Sequence, residues 1–547
     1  MVQQNTLLKA NVRKAPPGQT SHKLDLVYAG IHLQEDRDAR FATRAAGVDK
    51  KFWHMIRVRV PLGTLSTGQY LALDDISERV TYNRSLRVTA GQSIQLHGLA
   101  GRDLDATIEA LAEAGLAAGC DAAGFEFAVA VSPVPVENSS YLRLRALAAE
   151  LCDDLYPHRG KLRDRATPSH SPRKFTVGLG MPGDNSANVF ANDVGLLLVN
   201  GRDGDQQINI YAGGSLSMPG RRPDTYARLA SPIGSVPPGQ VIAAVKAVAA
   251  VFKRHGQLAT RRHTRLKYIV DALGVDQFRA EVEQELGFPF SRLVPHDELQ
   301  IPSWYGAQDQ HNGEFYYGLG IPYGRIRDHG ITRYKSAMRL IVESFRPRVI
   351  LSPDQNIILA GLRIEHIKPL EQILSSYHIP FGDGLTRLRF EAMACAGLPT
   401  CPLALAESER VAPRLLDALE TELIRLDRKD SPFSFRISGC SIGCIRPNMV
   451  DLGAIGRKPG HYDLYVGGSE ADGRFGELYE EMVPLEEIIP TVRPLLELWA
   501  RCSKAEEPFS DFYVRWFGSD EKPLRLIPCD AVPARERVAR QIVDTVG

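Results

Sequence analysis

The sequence predicts an internally duplicated protein of mixed α and β class, and three observations carry that expectation. Strand-like runs alternate with helix-like runs along the chain. Two sequence blocks recur in the same order at nearly the same spacing. The two copies then differ in a patterned way, one polar and the other rich in cysteine.

At 547 residues the chain exceeds the size at which a single core stops growing, so two to four domains are expected. Its 66 Lys and Arg offset 65 Asp and Glu, for a formal charge of +1. No global field draws it to nucleic acid or an anionic membrane, and any basic site must be local. No apolar run approaches the roughly 20 residues of a membrane span. The opening MVQQNTLLKANVRKAPPGQTSHK lacks the apolar segment of a secretory signal, which predicts a cytoplasmic protein.

Along the chain, the polar first fifty residues read as an extended arm. A strand follows in HMIRVRVP from His54, then a second in SLRVTAGQSIQLHGL, and a helix over residues 103–119, where apolar residues fall at three- and four-residue spacing. The glycine doublets Gly213–Gly214 and Gly467–Gly468 read as strand-end turns rather than nucleotide-binding loops.

The duplication aligns residues 86–99, LRVTAGQSIQLHGL, with residues 349–362, VILSPDQNIILAGL, without a gap. A second block starts at Ser171 (SPRKFTVGLGMP) and again at Ser431 (SPFSFRISGCSIGC). Gln92 precedes Pro172 by 80 residues and Gln355 precedes Pro432 by 77. Copy one carries Arg87, Gln95 and His97 where copy two carries Ile350, Ile358 and Ala360. On this alignment Arg173 and Lys174 stand against Phe433 and Ser434. One copy is thus expected to grip an anion, and the other, a metal. A solvent-facing strand is the bland alternative for the polar positions.

Four of the eight cysteines crowd into fifty residues: Cys395-x5-Cys401 and Cys440-x3-Cys444. Four thiolates suit a cubane iron–sulfur cluster, each capping one iron. They also suit structural zinc, although a five-residue spacer is wide for a zinc knuckle. Gly439, Gly443 and Pro447 place the second pair on a loop able to approach a cluster closely. Cys120, Cys152, Cys502 and Cys529 read as inert buried thiols.

The context of these cysteines, MACAGLPTCPLALAESER followed by RISGCSIGCIRPNMVDLGAIG, resembles the siroheme and 4Fe-4S signature of the sulfite and nitrite reductase family, and within it the hemoprotein subunit of assimilatory sulfite reductase. The resemblance extends to QEDRDAR, HMIRVRVPLG, PRKF, TYARLAS, RRHTRLKYIVDALG, SPDQNIILAGL and FSDFYVRWFG, almost the whole chain. It implies an α+β fold, with ferredoxin-like halves and α/β reductase domains related by a pseudo-twofold. The expected layout is an arm at 1–50, a ferredoxin-like half at 51–160, a siroheme-gripping domain at 161–305, a second half at 306–390, and a cluster domain at 391–547.

By the same resemblance, Cys395, Cys401, Cys440 and Cys444 hold the 4Fe-4S cluster, and Cys444 bridges it to the siroheme iron. Arg87, Thr89, Gln95, His97, Arg173, Arg265 and Lys267 match the positions that bind siroheme, whose eight carboxylates need a basic pocket. Arg57 and Lys174 match two of four basic residues that bind and protonate substrate. The chain departs from the family at the other two, Phe127 and Thr176, and at Gly91, where arginine is usual. Phe127 is expected to line the cavity with an apolar wall. The resemblance makes six-electron reduction of sulfite to sulfide the default, fed by an external flavoprotein or ferredoxin. The departures favour a reductase of a larger or less charged substrate, a biosynthetic one included. A catalytically silent tetrapyrrole-binding relative is a third reading.

Overall fold

A computed structural model describes residues 30–34, 53–118, 125–155, 173–201, 204–222, 224–256, 263, 265–518, 526–528, 531 and 533–546. Most of the expected arm, with Cys120 and Cys529, lies outside them. Two compact units emerge. The first holds the described residues up to 214 together with Ala230–Phe381, and the second holds Ser215–Leu229 with the residues from Gly382 onward.

The first unit contains a reciprocal exchange of strands. One sheet runs Ile31–Gln34, Trp53–Arg59, Ile94–Ala100, Leu86–Val88, Arg325–Ile326, and a second runs Gly306–Asp309, Phe315–Leu319, Ile357–Leu362, Arg348–Leu351, Thr64–Leu65. Each half therefore lends a two-residue strand to the other's sheet. Gln92, at φ 50°, donates its side-chain amide to the Leu351 carbonyl at 3.0 Å. Its counterpart Gln355, at φ 70°, reaches the Val88 carbonyl at 3.5 Å. Val88 and Leu351 are themselves equivalent in the gap-free alignment, so this block of the duplication holds residue by residue.

Both sheets share one apolar core with the helices Thr67–Val80, Leu104–Glu113, Tyr334–Phe345 and Ile364–Ser376. Thr67–Val80 starts where Ser66 and Gln69 form a capping box, and it buries Tyr70, Leu73 and Ile76 along one face. The helix expected over 103–119 stops at Glu113, because Gly115 turns to φ 70° and Ala117–Ala118 continues as a strand. SLRVTAGQSIQLHGL is likewise not one strand but a hairpin, closed by Thr89 N–H to Ser93 and Gln92 N–H to Thr89.

A further sheet in the first unit runs Ser231–Val236, Gln206–Ala212, Val194–Asn200, Arg173–Gly180, Phe125–Val131, with the last three strands parallel to one another. The second unit repeats the plan in Glu477–Pro484, His461–Val466, Leu452–Lys458, Phe435–Ser438, Met393–Ala394. Here the sequence alignment needs correcting by two residues. Thr176 gives Asp193 its N–H and hydroxyl, and Ser434 does the same for Asp451, seventeen residues on in both cases. Thr176 therefore corresponds to Ser434, and Phe175 to Phe433, both in the core. Lys174 stands against Pro432 and Arg173 against Ser431. The shared Ser-Pro had fixed the alignment on loop residues rather than on the strand.

Candidate active site

In the first sheet, Arg57 is the register partner of Gln95, Gln95 of Arg87, and Arg87 of Arg325. Their sequence neighbours Ile56, Val58, Ile94, Leu96, Leu86, Val88 and Ile326 all enter the core. Strand alternation then puts the four polar side chains in one row on the opposite face. The equivalent row of the second sheet is Gly318, Ile358, Ile350 and Thr64. The same backbone thus presents three guanidiniums in one half and aliphatic groups in the other.

The row is wired by hydrogen bonds. Arg325 donates to the Ser85 hydroxyl at 3.2 Å and to His97 Nδ1 at 3.3 Å. Because guanidinium only donates, His97 Nδ1 accepts, and the ring proton sits on Nε2, which faces Gln95 Oε1 at 3.1 Å. Arg87 donates to the same Gln95 oxygen at 3.3 Å. Burial, reinforced by Arg325, Arg87 and Arg57, holds the affinity of His97 for protons well below that of a free imidazole. Arg87, Gln95, His97 and Arg325 are all buried, while Arg57 is half-buried. Closely spaced, desolvated cations around a neutral imidazole make a strong anion cradle, as a polycarboxylate tetrapyrrole requires.

Sequence reasoning missed Arg325. Its signal was the duplication itself: Thr64–Leu65 and Arg325–Ile326 occupy matching places, each following a Pro-x-Gly turn.

The other expected residues lie elsewhere in the first unit. Thr89 pairs its hydroxyl with that of Ser93 at 2.7 Å in the hairpin turn. Gly91 is exposed at that turn, and a Cβ there would meet only Thr89 Oγ1, at 3.9 Å. Arg265 is committed to Asp193, at 2.7 and 3.2 Å, and through it joins Thr176. Lys267 is fully buried, with its ammonium 5.0 Å from the centre of the Tyr268 ring. Lys174 is exposed, and the side chain of Arg173 lies outside the described part.

Phe127 requires a correction. Its ring does not face the polar side of its strand. It lies in the core with Val129 and Val131, edge-on to Phe175 at 5.4 Å. The parallel register pairs Ala128 with Thr176 and Glu126 with Lys174, so Ala128 shares the face of Thr176 and Lys174. Contrary to expectation, Phe127 therefore does not line a cavity on that face but packs into the core, since adjacent residues of a strand point to opposite faces.

A further glycine run, GLGMPG at residues 178–183, spells G-x-G-x-x-G and escaped the sequence reading. The strand ends there in a tight turn closed by reciprocal Met181 and Asp184 backbone bonds, with no helix to receive a pyrophosphate.

In the second unit the four clustered thiols lie on two interlaced loops. Gly439 donates its N–H to Cys395 Sγ at 3.1 Å, and its carbonyl accepts from Leu405 and Ala406. Cys401 N–H closes on the Gly397 carbonyl at 2.8 Å, and Ser438 Oγ donates to the Cys440 carbonyl at 2.9 Å. Neighbouring protein approaches both Gly439 and Gly443 closely. A Cβ at Gly439 would sit 2.6 Å from the Ala406 carbonyl oxygen, and one at Gly443, where φ is 76°, 2.7 Å from Leu216 Cβ. The stretch carrying Leu216 also binds this loop by Met218 N–H to the Ser441 carbonyl and Ser441 Oγ to the Met218 carbonyl.

The donor chemistry fits a cluster. Burial pushes the Cys401 thiol up to about 11, and that of Cys440 further, with neighbouring cysteines adding to the rise. Such thiols need a cation to ionise, and iron supplies it. Among the described residues, no three potential ligands converge tightly enough for a single ion. A cubane asks for a wider set, since each thiolate caps a different iron. Cys395, Cys401 and Cys440 are half-buried and Cys444 is exposed. Cys152 is buried in the helix Ser139–Leu155, and Cys502, expected to be buried too, is half-buried at the end of Ile488–Cys502.

A duplicated fold with an anion cradle in one copy and four clustered thiols in the other defines a tetrapyrrole- and iron–sulfur-dependent oxidoreductase. Residues 144–290 match the nitrite and sulphite reductase 4Fe-4S domain, and residues 47–114 and 308–377 each match the nitrite/sulfite reductase ferredoxin-like half domain. The chain is 32% identical over 503 residues to the sulfite reductase (NADPH) hemoprotein beta-component 2 of Klebsiella pneumoniae, with 89% of each chain covered. It is 33% identical over 503 residues to the corresponding beta-component of Acidithiobacillus ferrooxidans, again with 89% of each covered. The solved structure of the Mycobacterium tuberculosis NirA protein shares its fold, with a TM-score of 0.76, 20% identity and 95% of each chain covered.

The chain belongs to the nitrite and sulfite reductase family, whose cofactors are siroheme and a 4Fe-4S cluster. Of the eight cysteines, the span matched to the 4Fe-4S domain contains Cys152 alone. No described helix is long and apolar enough to cross a membrane.

Proposed function

We propose that this enzyme reduces sulfite to sulfide, with siroheme held by the arginine row and a cluster held by Cys395, Cys401, Cys440 and Cys444. The observation that carries this reading is the register line Arg57, Gln95, Arg87, Arg325, placed where the duplicate half is aliphatic. Siroheme and the cluster would supply the redox chemistry when bound, and Cys444, the exposed thiol of the set, would be the residue shared between them. Arg87 and Arg325 would neutralise the siroheme carboxylates and the Gln95 amide would hydrogen-bond them, while Arg265, Lys267 and Arg173, with the Thr89 hydroxyl, would complete the surround.

Arg57 and Lys174 bind the oxyanion and hand protons to its departing oxygens. Asp193 ties Arg265 and Thr176 together, which keeps Thr176 from acting as a free donor. With Phe127 turned into the core and Thr176 and Gly91 uncharged, the substrate face carries fewer cations than the family pattern. Each charge-assisted contact is worth roughly 1.5–3 kcal/mol, so sulfite should bind and turn over weakly. That deficit favours, as a second reading, a substrate of lower charge.

Electrons come from a separate donor protein, a flavoprotein or a ferredoxin, and the names of the similar hemoprotein components point to NADPH as the source. Steady-state reduction of sulfite, nitrite and hydroxylamine with a viologen donor tests the assignment. Comparable or faster turnover of sulfite supports it, and inactivity on all three defeats it.

A further inference from the structure

Behind the second cysteine pair lies an ionic knot. Arg436 sits on the strand Phe435–Ser438, four residues ahead of Cys440, and its side chain is 5% exposed. Its guanidinium donates to both oxygens of Glu470, one at 2.6 Å, and also to the carbonyls of Ile445 at 3.1 Å and Arg446 at 3.4 Å. Arg446 donates its Nε to the same Glu470. Glu470 follows the Gly467–Gly468–Ser469 turn and is itself nearly buried, at 11% side-chain exposure. The two guanidiniums hold its carboxyl down to about 2 against the cost of burial.

The backbone caught by this knot is the segment that leaves Cys444. Arg446 adopts φ 52° and returns its N–H to the Gly443 carbonyl at 3.1 Å, which makes a tight turn over Cys444. Met449 N–H then closes on the Arg446 carbonyl. The turn therefore has two anchors. One is the Leu216–Met218 stretch on Ser441 and Gly443. The other is Glu470, which binds the two arginines and through Arg436 fixes the Ile445 and Arg446 carbonyls.

We propose that Glu470 is a positioning residue for the cluster. It sets the path of the turn that presents Cys444, and it offsets one of two buried positive charges beside the second cysteine pair. The first copy offers a built-in contrast, because Gly178 stands at the place of Arg436 in the corrected alignment and that copy holds no cysteine pair. A buried pair broken on one side leaves an uncompensated charge. Iron–sulfur potentials respond to local charge and hydrogen bonding. Loss of the carboxylate makes the surroundings more positive, which favours the reduced, more negative cluster.

The inference rests on the assignment of the four cysteines, and the experiment separates the two. Glu470→Gln and Glu470→Asp are purified with the unmodified protein. Iron content, the midpoint potential of the cluster and the thermal midpoint are measured for each. Glu422→Gln serves as control, because it removes a carboxylate paired with Arg425 and Arg493 on the helix Ala412–Arg425.

Glu470→Gln should shift the cluster potential upward and lower iron occupancy, Glu470→Asp should recover part of both, and the control should lose stability without moving the potential. If Glu470→Gln is too poorly loaded to titrate, the aspartate variant carries the test on the same two readouts. An unmodified protein without a cluster would sink the cysteine assignment. A loaded unmodified protein whose glutamine variant matches it in potential and occupancy would sink the role of Glu470 alone.

Discussion

Introducing arginine at residue 127 and at residue 128 should give opposite results. Phe127 is 7% exposed and packs with Val129, Val131 and the Phe175 ring, which itself stacks on Phe252 at 6.0 Å. Phe127→Arg loses a core aromatic, worth about 3–5 kcal/mol. It also buries an unpaired guanidinium, which costs several kcal/mol more. That sum is comparable to the roughly 5–15 kcal/mol that stabilises a whole domain, so Phe127→Arg should be largely insoluble. Ala128 is half-buried on the face of Thr176 and Lys174. Ala128→Arg removes no core contact and should change stability by about 0.5 kcal/mol or less. Combined with Gly91→Arg, for which the hairpin turn has space, it adds two cations to the substrate face. Denaturant melts and viologen-driven sulfite turnover report the outcome. Ala128→Arg/Gly91→Arg should melt like the unmodified protein and lower KM for sulfite. A soluble Phe127→Arg with normal stability and raised turnover would refute the strand register and the reasoning built on it.

Arg325→Ala removes the donor to His97 Nδ1 and should lower tetrapyrrole occupancy, whereas Ile350→Ala, in the equivalent row of the other half, should cost packing stability and leave occupancy intact; absorbance per chain and thermal melts distinguish them. His97 is a base whose folded-state proton affinity is depressed, so the unfolded chain takes up the proton first. Its contribution to stability is full above the unfolded value of about 6.5 and lost as pH falls below it. His97→Gln should flatten the acid limb of the stability curve below about pH 6.5, and an unchanged limb would exclude His97 as its source. Gly443→Ala combines positive φ with a clash on Leu216, and should release iron while leaving the first unit's anion cradle untouched.

The sequence carried the duplication well where a block was rigid on both sides. Gln92 and Gln355 occupy the same unusual backbone conformation and make the same cross-half bond, so no insertion was tolerated between them. The grouping of the four cysteines on neighbouring loops was equally legible, because close spacing survives as a local pattern. Errors came where local pattern is ambiguous. GFEFAVAVSP alternates bulky and small residues, but which set faces the core depends on the partner strand, and Phe127 was placed on the wrong side. The Ser-Pro pair drew the second block two residues out, although Asp193 and Asp451 define its true register. Arg325 was invisible locally, since its strand pairs with Leu86–Val88, more than two hundred residues away in sequence.

The most direct measurement is iron and tetrapyrrole stoichiometry with optical and EPR spectra, on the unmodified protein and Cys444→Ser. One thiolate serving both centres predicts about five irons per chain, four in the cluster and one in siroheme, and a substitution that perturbs both spectra together. Zinc in place of iron, or a Cys444→Ser protein that loses its cluster while its tetrapyrrole bands stay unchanged, would contradict the shared-thiolate account.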